Sequence, residues 1–285
     1  MHPDTPQRTV ESTPGDRINW LRSSPFIAMH GVALACLLCT TIHWWLFAAL
    51  YGVLMFCITA GFHRYFSHRT YKTSRVMQFI LAYLGTCSAQ RGVLWWASLH
   101  RDHHTHSDTD ADVHTPHRPW WWDKLFSEKL WDFFWSHMGW IMTDAYAETR
   151  WDRIKDFAKY PELVFINKFH LLPPITLGTL LLVLGGWSMV ATYLLTIVVV
   201  WHATFCVNSV SHIFGSQAYA TQDQSRNSFL MALLTFGEGW HNNHHQHPNC
   251  EPQGMRWWQI DLSHYILTVL GWLHIVWDIR RHRHS

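Results

Sequence analysis

Residues 23–63 read SSPFIAMHGVALACLLCTTIHWWLFAALYGVLMFCITAGFH, without one Asp, Glu, Lys or Arg. A second uncharged stretch runs from 169 to 222, between Lys168 and Asp223. A membrane-spanning helix needs about 20 predominantly apolar residues, so each stretch accommodates two spans and a tight turn. The turns are expected at Ile42–Trp45 and Gly185–Trp187, where Trp suits the boundary between lipid and water. Spans are therefore expected at about 25–42, 45–62, 170–186 and 188–207. Buried helices of soluble proteins seldom lack charge over such lengths.

Two hairpins return the chain to its starting side. All 22 Lys and Arg lie outside the uncharged stretches, and positive residues stay cytoplasmic, so both termini and the segments between the hairpins are expected in the cytoplasm. The fold class is an all-α integral membrane protein. A polar N-terminal arm over 1–24 carries Pro3, Pro6 and Pro14 and no cleavable signal. A single membrane domain covers 25–277, with a cytoplasmic helical cap from 63–168 and 208–277, and a basic tail follows over 278–285. Val76 to Gln90 and Leu262 to Trp277 are apolar but short, and read as helices lying against the membrane or closing the cap.

Composition narrows the function. Among 285 residues there are 23 His, more than the 22 Lys and Arg or the 20 Asp and Glu, with 19 Trp and 48 % hydrophobic residues. That much apolar matter excludes disorder. A net charge of +2, with no basic block beyond Arg280, Arg281 and Arg283, excludes a nucleic-acid surface. The mean hydropathy of -0.07 conceals the segregation of charge from apolar residues. Cys36, Cys39, Cys57 and Cys206 sit in the apolar stretches, where Cys serves as a small hydrophobe.

The histidines are clustered. His63 and His68 bracket H-R-Y-F-S-H, His100, His103 and His104 form H-R-D-H-H, and His241, His244 and His245 form H-N-N-H-H. Residues three and four apart share one helix face, so each H-x-x-H-H trio projects three imidazoles together. Asn208 and His212 in N-S-V-S-H are four apart after the last apolar stretch. Nine imidazoles are too many for one ion and suit two, and imidazole suits Zn, Cu, Fe or Ni. Neutral ligands with open positions favour redox-active iron over closed structural zinc. Zinc hydrolases of the H-E-x-x-H type are excluded, because no His is followed by Glu.

H-R-Y-F-S-H, H-R-D-H-H, N-S-V-S-H and G-E-G-W-H-N-N-H-H, in this order around two hairpins, resemble the integral-membrane acyl-CoA desaturases of the stearoyl-CoA (delta-9) type, in a bacterial-like form, from about Pro25 to Trp277. The resemblance implies four membrane helices under a cytoplasmic cap, two irons cycling between Fe2+ and Fe3+, O2 as co-substrate, and a bent acyl tunnel. It implies metal ligation by His63, His68, His100, His103, His104, His212, His241, His244 and His245, with Asn208 acting through water. It further implies that Gln90, Trp96 and Thr204 shape the tunnel's bend and that Tyr51 lies near its closed end. Arg91 stands where animal enzymes carry a smaller polar residue, and the Trp-rich stretch Pro119 to Phe134 is longer than in them.

The implied reaction places a cis double bond, at delta-9, in a saturated long-chain acyl group carried as acyl-CoA or by another acyl carrier. Asp102 and Glu238, with Asp108, Asp110 and Asp112, are expected to orient ligating imidazoles. No haem or flavin fingerprint is present, so electrons are expected from a ferredoxin or a cytochrome b5-like donor with its reductase. A membrane diiron hydroxylase or alkane monooxygenase is the alternative, because it shares such histidine boxes. A metal transporter would place carboxylates within its spans, where this chain has none. A soluble diiron carboxylate protein would need two Glu-x-x-His pairs, and only Glu238 with His241 fits.

Overall fold

The computed structural model describes residues 17–116 and 128–282. Most of the N-terminal arm and of the Trp-rich stretch, and the last three residues of the tail, lie outside the described residues. In chain order the helices are α1 (Trp20–Cys39), α2 (Trp44–Phe56), α3 (Arg75–Thr86), α4 (Val93–His106), α5 (Glu128–Phe134), α6 (Lys155–Ala158), α7 (Pro161–Lys168), α8 (Leu172–Ile213), α9 (Phe229–Leu234), α10 (His241–Gln246) and α11 (Leu262–Trp272). A two-residue strand, Lys72–Thr73, pairs antiparallel with Val276–Trp277 and clips the end of the chain to the segment after α2.

Among the described residues, three helical runs are long and apolar enough to cross a membrane: Trp20–Cys39, Trp44–Ser67 and Leu172–Ile213. Large apolar side chains such as Leu38, Trp44, Trp45, Val183 and Trp187 stand exposed on them. Such an exterior suits lipid contact, with Trp at the boundary.

The second run does not end where its charge suggests. Arg64 lies inside the helix, 1 % exposed, because its guanidinium donates to Glu238 at 3.1 Å, Glu251 at 3.0 Å and Asp261 at 2.9 Å. A boundary set by the first charged residue therefore falls short, and the helix continues to Ser67. Over Cys57–Ser67 it widens to a π-helix. Side chains occupy carbonyls of this wider run: Ser67 donates to Phe62 O at 2.8 Å, Thr70 to Arg64 O at 3.0 Å and Tyr71 to Ala60 O at 2.8 Å. α1 likewise begins at Trp20, ahead of the charge boundary at Arg22, because the Asn19 side chain caps the backbone N–H of Arg22 at 3.0 Å.

α8 is 42 residues long but not straight. Gly185 (φ −153°, ψ 16°) and Gly186 (φ 71°, ψ −163°) leave helical geometry. Pro173 and Tyr193 would stand about 30 Å apart along an unbroken helix. Instead both meet Cys87: its thiol reaches Pro173 O at 3.5 Å, and its carbonyl accepts the Tyr193 hydroxyl. The helix is folded back on itself at the glycine pair. Its second half packs on α1 and α2.

A line of polar groups ties these elements together. His30 Nδ1 meets Phe26 O at 2.8 Å, His30 Nε2 meets His202 Nε2 at 3.0 Å, His202 Nδ1 meets His137 Nε2 at 2.9 Å, and His137 Nδ1 meets Ser209 Oγ at 3.0 Å. The carbonyl can only accept, so His30 Nδ1 donates to Phe26 O, and at the other end the Ser209 hydroxyl also faces a carbonyl, Phe205 O at 3.1 Å.

The two short apolar stretches are helical over less than their expected length. α3 stops at Thr86, and Ala89 (φ 56°) and Arg91 (φ 64°) turn the chain into α4. α11 stops at Trp272, His274 (φ 55°) reverses the chain, and Val276–Trp277 becomes a strand instead of a last helical turn.

Gly186 offers a clean test of the fold-back. An added Cβ there meets nothing within 4 Å, so Gly186→Ala carries only a backbone cost. That cost is about 1–3 kcal/mol for a conformation that essentially only Gly adopts. Thermal unfolding in detergent is expected to show a lower Tm for Gly186→Ala, whereas Gly31→Ala, in the open interior of α1, leaves it unchanged or raises it.

Candidate metal centre

In an α-helix His63 and His68, five residues apart, would point about 140° away from each other. The π-helical run brings their rings to 4.9 Å. Arg101 of α4 donates to the carbonyls of Ser67 at 2.9 Å and Phe66 at 2.6 Å, which docks α4 on the end of this run. The start of α4 is fixed separately: Asn167 Oδ1 accepts the backbone N–H of Trp95 at 2.8 Å, against Gly92, where a Cβ would strike that side chain. α10 has a single turn and is held by the residues between its histidines. Asn242 Oδ1 accepts from the backbones of Ala218 and Tyr219, both at 2.8 Å, and Asn243 Nδ2 donates to Gln253 O at 2.9 Å.

These supports gather the nine histidines into two groups whose ring nitrogens lie within 4.8 Å of one another. One is His63, His68, His100, His104 and His244; the other is His103, His212, His241 and His245. In the first, Nε2 atoms face each other at 3.0 Å for His63–His244, 2.9 Å for His68–His100 and 3.0 Å for His104–His244. In the second, His241 Nε2 lies 3.0 Å from that of His212 and 3.1 Å from that of His245.

This geometry fits metal ions better than hydrogen bonds. His212 Nδ1 meets Asp108 at 2.9 Å and His245 Nδ1 meets Asp223 at 2.7 Å, so both rings carry their proton on Nδ1 and present bare Nε2 lone pairs to His241. His63 and His104 likewise converge on one nitrogen of His244, and His103 Nε2 is buried with no hydrogen-bond partner. Ring nitrogens about 3 Å apart and turned toward one another are close enough to share an ion with metal–nitrogen bonds of about 2.0–2.1 Å.

Electrostatics favours the same state at six of the nine rings, while His103, buried but facing Asp112, is raised instead. Burial, and then neighbouring imidazoles, hold His68, His100, His104, His241 and His244 well below the ordinary histidine range. Burial lowers His245 to about 4. Neutral imidazole is the form that binds metal. Burial opposes ionisation of Asp108, Asp112 and Asp223, but the facing rings of His212, His103 and His245 outweigh it and hold all three below the usual carboxylate range.

Of the expected orienting carboxylates, Glu238 meets His63 Nδ1, Asp112 meets His103 Nδ1 at 2.9 Å, and Asp108 meets His212. Asp102 does not face a ring of either group. It is 1 % exposed and paired with Arg150 and with Arg153, the latter at 2.8 Å, which uses its charge to anchor α4 to the segment 150–153. Asp110 is exposed. Sequence reasoning missed Asp223, Gln253, whose amide lies 3.3 Å from His63 Nδ1, and His114, whose ring stands 4.2 Å from that of His103. Nothing in local spacing marks these three, since each reaches the site from a loop.

A cavity of about 380 Å³ opens beside the first group. Gln90, Trp96, Thr204 and Asn208 line it, with Phe26, Trp201, Phe205 and His100. Gln90 Nε2 donates to Thr204 Oγ1 at 3.0 Å, and the Trp96 ring stacks on His100 at 5.1 Å. Tyr51 is not on this lining. Its hydroxyl donates to Leu234 O at 2.5 Å and its ring packs on Phe47 and Phe236.

The family model for fatty acid desaturases matches residues 41–275. The chain belongs to the fatty acid desaturase family. It is 34 % identical over 282 residues, 95 % of this chain and 97 % of the other, to the sn-1 stearoyl-lipid 9-desaturase of Anabaena variabilis. It is 31 % identical over 269 residues to the sn-2 palmitoyl-lipid 9-desaturase of Nostoc sp. (strain 36), covering 89 % of this chain and 87 % of that one. The acyl-CoA 5-desaturase AL21 of Anemone leveillei is 32 % identical over 264 residues, 89 % of this chain and 78 % of its own. This desaturase is thus a membrane-associated oxidoreductase with cyanobacterial 9-desaturases among its relatives.

The desaturase's buried Arg64 gives a stability test. Arg64→Met removes the cation from among Glu238, Glu251 and Asp261. Breaking a buried ion pair costs about 3–5 kcal/mol. The variant is expected to unfold at markedly lower temperature in detergent than Arg75→Met, which loses only the exposed pair with Glu162.

Proposed function

We propose that the protein is an oxygen-dependent fatty acyl desaturase that forms a cis double bond at delta-9, using two irons held by the nine histidines, with Asn208 acting through water. The observation carrying this reading is the convergence of nine imidazoles as two groups of five and four, beside a cavity with an apolar lining. Bound iron would supply dioxygen reduction and C–H oxidation, chemistry beyond side-chain acids and bases. The chain's residues do the positioning. Trp96, stacked on His100, forms the cavity wall nearest the first group. The Gln90–Thr204 hydrogen bond ties the segment before α4 to α8 across the cavity and so shapes the path of an acyl chain. Phe26, Trp201 and Phe205 exclude water from it.

The carrier is a lipid rather than the CoA expected from the resemblance. Arg22, near the mouth, is paired with Asp144 at 2.9 Å, and Arg91 is engaged by Ala147 O at 2.7 Å and by the Trp95 ring. Among the described residues lining the cavity, neither arginine is left free for a polyphosphate. Two of the relatives described above are named for lipid substrates. α1, α2 and the two halves of α8 are read as four spans, with both termini and the metal centre in the cytoplasm. Electrons come from a ferredoxin or cytochrome b5-like donor.

Two measurements test this reading. Cells expressing the protein are expected to gain cis-monounsaturated acyl chains in their lipids; a hydroxylated product would place it with the monooxygenases. His244→Ala is expected to abolish the new fatty acid and lower bound iron in purified protein. Asp223→Asn, which leaves every ligand in place, is expected to weaken metal affinity about 10–100-fold.

A further inference from the structure

One patch of surface combines an exposed indole, guanidinium groups and an aromatic route inward. Trp257 is 94 % exposed, beside exposed Arg256. The neighbouring Trp258 ring lies 5.5 Å from that of Trp240, edge to face. Trp240 is 2 % exposed, donates its indole N–H to Ile260 O at 2.8 Å, and is followed directly by His241 of the second histidine group. The loop carrying both surface indoles is fastened to that group. Gln259 Oε1 accepts from the backbones of Met255 at 2.7 Å and Arg256 at 3.0 Å, and from Asn243 of α10 at 3.1 Å.

More positive charge gathers nearby. The Tyr219 hydroxyl meets Met255 Sδ at 3.2 Å, its ring meets His247, and His247 meets His282 at 3.9 Å, which brings exposed Arg280 and Arg281 alongside. The carboxylates closest in sequence are withdrawn: Glu251 and Asp261 are buried on Arg64, and Asp278 is paired with Lys72. The face is cationic around an indole.

We propose that this patch docks an acidic one-electron carrier protein, and that Trp258 and Trp240 conduct its electron to the histidine group containing His241. The proposal rests on the desaturase reading, which requires two external electrons per turnover. At each encounter the carrier loses one electron and the metal pair gains one; no bond forms or breaks, and two encounters complete the supply. Opposite charges steer such encounters and make them sensitive to salt.

The test uses full-length protein in nanodiscs of zwitterionic lipid, with a reduced plant-type [2Fe–2S] ferredoxin as probe. Combined Arg256→Glu, Arg280→Glu and Arg281→Glu is expected to weaken ferredoxin binding at least about tenfold at low ionic strength and to remove its salt dependence, equally in metal-free protein. Trp258→Leu is expected to keep the binding but slow ferredoxin oxidation in stopped flow at least about tenfold, with dithionite-driven turnover unchanged; Trp258→Phe should fall between. Unaltered ferredoxin affinity in the triple variant overturns the docking site. So does a variant that loses only its binding to anionic vesicles, which would make the patch a lipid contact. Unaltered oxidation in Trp258→Leu overturns the route. Absence of dithionite-driven turnover in the unmodified protein would instead count against the desaturase reading, while ferredoxin binding to metal-free protein still decides the docking.

Discussion

A guanidinium removed from water beside the histidine groups must be compensated in full, and Arg64 organises the structure around that demand. Its partners come from three separate stretches of the C-terminal region: Glu238 ahead of α10, Glu251 after it, and Asp261 at the start of α11. Each has a second task. Glu238 meets His63, Glu251 accepts from His264, and Asp261 caps α11 and takes the backbone N–H of Gln253 at 2.8 Å. One charge therefore fixes the register between the π-helical run and the C-terminal stretches at 238, 251 and 261.

The same principle separates what the sequence disclosed from what it hid. The histidine boxes were legible because they are local: three imidazoles at helical spacing need no knowledge of tertiary structure. The apolar runs were legible from missing charge, and their ends were misplaced for the same reason, since Arg64 is charged and yet internal. His63 and His68 were recognisable as a pair, but their convergence depends on a π-helix, which the run C-I-T-A-G-F-H-R-Y-F-S does not announce. Asp102 stands between His100 and His103 in sequence, yet it serves two arginines. Proximity along a helix did not predict the face it occupies. Asp223, from a loop with no periodicity, proved to be the partner of His245.

Rigidity in the candidate centre comes from groups that never approach a metal. Asn242 and Asn243, between the histidines of α10, spend their amides on loops at 218–219, 227 and 253. A six-residue helix alone is marginal in water. Here tertiary hydrogen bonds replace the missing helical length, and imidazole direction is set from outside the helix that carries it.

The line of rings from Phe26 to Ser209 is bounded by a carbonyl at each end, Phe26 O beside His30 and Phe205 O beside Ser209. A substitution at any link changes what its neighbours on both sides can give or accept, so the rings are coupled. His30, His202 and His137 therefore form one hydrogen-bonded unit, in which removing a single ring strands a partner on either side.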